Sequence, residues 1–253
     1  MAARIWDSRE SKTPATLAEK AFDLLHADIL SARLRPGDKM HIERLRETYG
    51  VGATPLREAL SKLSSLELVT IEGQRGFRVA PVSTENLLDI TKSRAWIEGL
   101  ALRASIAAGD RHWESQVLAA AHLLKGCAEN DGDSLSNDWY RQNREFHDAL
   151  VARCNSPQIM VFRTQLYDLS DRYRRLSVEN GLAGRNFDSE HQLIVDAALS
   201  RNAETAVAHT VDHFVETTRV ILADDPQTSK DADRIIAVLR RDIQAASGTA
   251  AKA

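Results

Sequence analysis

Four polar side chains fall where helical periodicity can gather them. Asn143 and His147 lie four residues apart, so they share one helix face, with Phe146 on the adjoining apolar flank. His191 shares a face with Ile194 and Val195, and His213 stands beside Phe214 with Ala206, Thr210 and Val220 on neighbouring turns. Three helices carrying these residues can bring three imidazoles and one amide oxygen to a single interior point. That donor set suits a borderline divalent transition metal, zinc first and nickel second, with remaining positions open to water or a carboxylate. The same spacing also suits histidines that are simply hydrogen-bonded inside a core. Periodicity alone leaves both readings open.

A second group of residues suits an acid. Ile90, Arg94 and Ile97 are spaced by 4 and 3, which puts an arginine in an apolar stripe where it needs an anionic partner. That partner is either a ligand or an internal acid such as Glu98. Further along, Ile159, Phe162, Leu166, Leu169, Tyr173 and Leu176 read as a core stripe. Beside it run Arg163, Tyr167, Ser170 and Arg174, a polar row of the kind that lines a cavity. Arginine pairs with carboxylate bidentately. Arg94, Tyr167, Ser170 and Arg174 are therefore the candidate effector-binding residues.

The third chemistry is base reading. In Gly50–Leu68, Thr54 reads as an N-cap and Pro55 as the first helical residue, with Leu56, Leu60, Leu63 and Leu66 on one apolar face. Arg57 then stands exposed in the first turn, where a recognition helix contacts base edges. Its guanidinium matches O6 and N7 of guanine, and Thr54 can hold a phosphate. The competing reading of Arg57 is a surface salt bridge with Glu47 or Glu58. Arg44, Arg46 and Lys62 are supporting contacts. Gln74, Arg75 and Gly76 form the tip of a hairpin that can approach the minor groove.

These residues need elements to position them. An amphipathic helix is expected over about Pro14–Ser31, started by Thr13 and Pro14, then a short helix over Ile42–Tyr49 stopped by Gly50. The helix bearing Arg57 follows. Val69–Ile71 and Phe77–Val79 alternate like strands around a Gly-containing tip. From Ser83, an N-cap with Glu85 in the first turn after it, helix follows helix near 84–108, 111–128, 134–154, 156–178, 187–200 and 203–223, with a tail helix over 231–246. The fold class is mainly α: a winged helix-turn-helix of three helices plus a two-stranded wing, then an antiparallel six- or seven-helix bundle. The expected organisation is a disordered leader over 1–13, a DNA-binding domain over 14–82, an effector-binding and dimerisation domain over 83–224, and a tail over 225–253.

Composition agrees with this division. The chain has 253 residues and a net charge of −3. Residues 1–82 hold 13 Lys+Arg and 11 Asp+Glu, a net of +2, which leaves −5 for the remainder. No apolar run approaches the roughly 20 residues that span a bilayer. Met1–Lys12 lacks the apolar segment of a signal peptide. Cys127 and Cys154 match no metal or redox spacing, so a reducing cytoplasm is the expected home.

Taken together, Thr54-Pro-Leu-Arg-Glu-Ala-Leu60 with Leu63 and Leu66, Arg35-Pro-Gly37, Gly73–Val79, and in the second half Arg94, Asn143–His147, His191 and His213 resemble a GntR-type regulator of the FadR group, with an all-helical ligand-sensing (FCD-type) domain. Within that group the chain looks nearest to regulators of small-dicarboxylate or related acid catabolism. The resemblance covers about residues 15–223. It implies a homodimer on a near-palindromic operator in double-stranded DNA, a small organic-acid effector, and metal ligation by His147, His191 and His213. It implies a repressor and no enzymatic activity. Two positions depart from the family pattern. Ala53 stands where an arginine is common, so base readout rests more on Arg57. Asn143 stands where an aspartate is usual, so the metal has a weaker oxygen ligand. The rival readings are a metal-dependent enzyme using the three histidines, and a DNA-binding protein whose helical domain only dimerises.

Overall fold

The computed structural model describes residues 16–73, 76–128, 136–177 and 185–249. The leader expected over 1–13 and the wing-tip residues Gln74 and Arg75 lie outside these. The chain divides into two compact units, one ending at Pro81 and one beginning at Val82.

In the first unit, α1 (Leu17–Leu30) begins at a capping box. Thr16 accepts from the Glu19 amide, and Glu19 accepts from Thr16. The start expected at Thr13-Pro14 is therefore replaced by Thr16, because a reciprocal Thr–Glu pair three residues apart satisfies two end donors at once. α2 (Ile42–Tyr49) stops at Gly50, whose φ of 62° is the left-handed conformation glycine adopts freely. α3 (Ala53–Ser65) starts two residues earlier than Thr54 would place it. Gly52 is its cap, and no side chain makes the capping bond. Pro55 falls in the third helical position, where a missing N–H still costs nothing because the first turn's amides have no helical partner. Leu56, Ala59, Leu60 and Leu63 are buried against α1, while Leu66 is only half-buried. The wing gains a strand. β1 (Lys39–Met40) pairs with β3 (Phe77–Val79), which pairs with β2 (Val69–Ile71), all antiparallel. Two residues are too few to show alternation, so β1 was invisible to periodicity and only two strands were expected. Arg78 ties the sheet together through Glu72 and the Gly37 carbonyl.

The second unit is a bundle of α4 (Thr84–Ala108), α5 (Arg111–Ala128), α6 (Asn137–Val151), α7 (Pro157–Leu176), α8 (Phe187–Leu199), α9 (Ala203–Asp224) and α10 (Ala232–Thr249). Ser83 caps α4 as expected. α4 packs against α9, α7 and α6, which makes it the central helix. α10 is more than a tail. Its Ala232, Ile236, Leu239 and Ile243 are buried, and it packs on α9 and α4. The core stripe expected on α7 is also corrected. Phe162 is 55% exposed and Leu166 half-buried, whereas Arg163, Tyr167 and Arg174 are buried. Acids wait there for the two arginines: Glu98 and Asp148 on other helices for Arg163, and Asp171 on α7 itself for Arg174. Among the described residues, no helix is long and apolar enough to cross a membrane.

Candidate functional site

α6, α8 and α9 carry the three imidazoles to one place. Ligand atoms of His147, His191 and His213 lie within 4.8 Å of one another, and all three residues are buried. Apolar packing holds them. Phe146 lies 4.8 Å from the His191 ring, and Phe214 lies 5.7 Å from that of His147. Their pKa values are pulled well below the ordinary range. For each the chief cause is burial, followed by repulsion that opposes protonation: between His213 and the rings of His147 and His191, and from Arg185 for His213. They are neutral at pH 7, the protonation state a metal requires.

The hydrogen bonds around them are one-sided. Nδ1 of His213 bonds to Oε2 of Glu190 at 2.7 Å, and Arg185 pairs with Glu190 while donating to the His213 carbonyl. A carboxylate behind a histidine is the usual partner of a metal-ligating imidazole, since it fixes the tautomer and frees Nε2. Both ring nitrogens of His147 and of His191 have no hydrogen-bond partner. Asn143 is fully buried. Its Nδ2 donates to the Tyr167 hydroxyl at 3.0 Å, which leaves Oδ1 without a partner. Buried polar atoms are rarely left unpaired without reason. A divalent cation bound by one nitrogen of each imidazole, with the amide oxygen alongside, would engage three of these five open atoms together with His213, and leave the second nitrogens of His147 and His191 to water. The donor set suits such an ion.

Arg94, on α4, adjoins this cluster. It lies over the Phe214 ring at 3.7 Å and the Tyr167 ring at 4.9 Å, and its Nη1 donates to Ser170 Oγ at 3.0 Å. Nε and Nη2 have no partner. Burial lowers its pKa to about 10, so it still carries its charge at neutral pH. Glu98, its candidate internal partner, pairs with Arg163 at 3.0 Å instead, and Arg163 also binds Asp148. Arg174 is likewise committed, to Asp171 in an ion pair and to the Tyr167 hydroxyl at 3.3 Å. Of the expected effector residues, Arg94, Tyr167 and Ser170 are thus brought together beside Asn143 and His147. Arg174 adjoins them with its charge already neutralised.

On the first unit, Thr54 and Arg57 are exposed at the start of α3, and Arg57 makes no ion pair with Glu47 or Glu58. Arg44 is exposed on α2, and Arg46 pairs with Glu43 at 2.5 Å. Lys62 sits with its ammonium 4.3 Å from the Phe22 ring of α1, which places it roughly 140° around α3 from Arg57. It packs on α1 and does not share the surface of Arg57. Gly76 adopts φ 93° with open space around its Cα.

Glu190 and Arg185 were missed by sequence reasoning. Glu190 precedes His191 directly, so on a helix it points about 100° away from it. Only the packing of α8 on α9 carries it to His213.

The comparisons agree with this architecture. Residues 17–79 match the pattern of bacterial regulatory proteins of the gntR family, and residues 89–216 match the FCD domain. The HTH-type transcriptional regulator BphR of Paraburkholderia xenovorans is 39% identical over 75% of this chain and 78% of its own. The HTH-type transcriptional repressor GlaR of Escherichia coli is 35% identical over 72% of this chain and 85% of its own. Among solved structures, E. coli McbR superposes with a TM-score of 0.72 at 20% identity, over 82% of this chain and 97% of that one. That last likeness concerns the fold alone. The family excludes the reading of the three histidines as an enzyme's centre: the chain belongs to the GntR family of bacterial transcriptional regulators, with an FCD domain behind its winged helix-turn-helix.

Proposed function

We propose that this regulator is a cytoplasmic repressor of a catabolic operon whose grip on DNA is set by a small carboxylate bound beside a divalent metal. The observation that carries this reading is the juxtaposition of three neutral imidazoles within 4.8 Å with a buried arginine that has no acidic partner. His147, His191 and His213 would hold the ion, zinc first and nickel second, with Asn143 Oδ1 as a fourth donor. The ion would supply a fixed positive charge and open coordination positions. Arg94, assisted by Ser170 and Tyr167, binds and orients the acid.

In this reading residues 14–82 read DNA, residues 83–224 sense the acid, and the protein acts as a homodimer on a near-palindromic operator. One winged helix makes too few contacts for specificity, whereas two half-sites supply enough. Thr54 and Arg57 lead the contact, with Arg44 and the backbone at Gly76. Effector and DNA affinities are linked: an acid that weakens DNA binding is itself bound more weakly by the same factor in the DNA complex. A helical domain that only dimerises is less well supported, because it leaves the open valences of Arg94 unexplained.

Protein purified without chelator is expected to carry transition metal by elemental analysis, and members of an organic-acid panel to raise its melting temperature. Absence of any metal, together with none acquired from added zinc, would defeat the metal reading. No stabilisation by any acid in wild type and Arg94→Met alike would defeat the effector reading.

A further inference from the structure

A buried ion must have a way in. Packed groups stand against the histidine cluster on several sides. Behind His213 stands the Arg185–Glu190 pair. Behind His147 stand Tyr167 and Phe214, with ring centroids 6.4 and 5.7 Å away. Phe146 closes the floor against both His147 and His191. A surface cavity of about 280 Å³ opens between α5 and α8 and reaches His191. Leu118, His122 and Lys125 border it from α5, and Asp188 and Gln192 from α8. The one residue common to this cavity and the cluster is His191. Another cavity of about 480 Å³, beside Tyr173 and Leu176, touches none of the histidines.

His191 also differs from His213 in how it is held. Glu190 anchors the His213 ring through Nδ1, whereas neither nitrogen of His191 is bonded to the protein. Its ring is kept in place by packing on Phe146, Phe187 and the other two imidazoles. Rotation of that one side chain would break no hydrogen bond to the protein.

We propose that the cavity between α5 and α8 is the access vestibule of the metal centre, with His191 as its gate. This rests on the metal reading above. The test uses zinc and cobalt alone. Leu118 and Gln192 are exposed, so Leu118→Trp and Gln192→Trp narrow the mouth without entering the core. Both variants are expected to bind as much metal as wild type. Both are expected to take up cobalt, followed by absorbance, and to surrender zinc to a chromophoric chelator roughly tenfold more slowly. Leu176→Trp, in the other cavity, is expected to leave both rates unchanged. Full metal content with wild-type rates in both mouth variants overturns the vestibule and spares the metal centre. A wild-type protein that binds neither ion overturns both.

Discussion

Two parts of the bundle interior treat arginine in opposite ways. Along α7, Arg163 and Arg174 are buried with carboxylates: Glu98 and Asp148 for the first, Asp171 for the second. Burial alone would lower their pKa, but those acids outweigh it and raise them. Across from them, Arg94 is as deeply buried but closes no ion pair: a serine hydroxyl and two aromatic rings touch it, and Glu98, bound to Arg163, acts on it only at longer range. Its pKa falls to about 10. The difference shows where the interior is finished and where it waits for a partner. Ion pairs that close on themselves hold helices together. A lone cation beside three neutral imidazoles has its charge left over for something that arrives.

The contrast can be broken at several points. Glu98→Ala removes one acid from a closed pair, and urea unfolding is expected to show a loss of about 3 kcal/mol, the lower end for a broken buried pair because Asp148 remains. An undiminished midpoint would mean that the closed half is not structural. Stripping metal with a chelator is expected to cost about 2.7 kcal/mol if the ion is present at a hundred times its dissociation constant, read as a lower melting temperature that zinc restores. His147→Ala should abolish that restoration.

A smaller effect belongs to the first unit, where Arg57 is exposed and makes no ion pair among the described residues. Arg57→Ala should cost about 1–3 kcal/mol in operator affinity by mobility shift and leave the unfolding curve in place. Unchanged specific affinity would remove Arg57 from the reading surface. The smallest and least intuitive effect is at Arg94 itself. Arg94→Met should leave the effector-free protein as stable as wild type or up to about 2 kcal/mol more stable, because it removes a buried charge that has no counter-ion. The same variant should lose its thermal response to organic acids. A marked destabilisation would place Arg94 in the closed class with Arg163.

The start of α3 shows how local signals can mislead by a residue or two. Thr54 and Pro55 have the chemistry of a cap and a first helical position, yet Gly52 caps the helix and Pro55 is tolerated deeper in the first turn. Lys62, expected at the DNA, is exposed and also rests its ammonium against Phe22 of α1, a contact that no local pattern indicates. On α7 the apolar stripe was legible, but which stripe faced inward depended on acids from α4 and α6 that no local pattern predicts.

The helices themselves were written in the sequence. Apolar spacing, Ser83 before α4 and Gly50 after α2 mark them, because periodicity and capping are properties of neighbours along the chain. So were the three histidines as members of a set, once the motifs around them had indicated the family. What only the tertiary structure decided is which polar groups are left open. Glu98 could have neutralised Arg94, four residues away on its own helix, and instead reaches Arg163 on another. Glu190 points away from its neighbour His191 and braces His213 on α9. Pairing of charges across helices depends on distances between segments far apart in sequence, and it is this pairing that separates the open centre from the closed one.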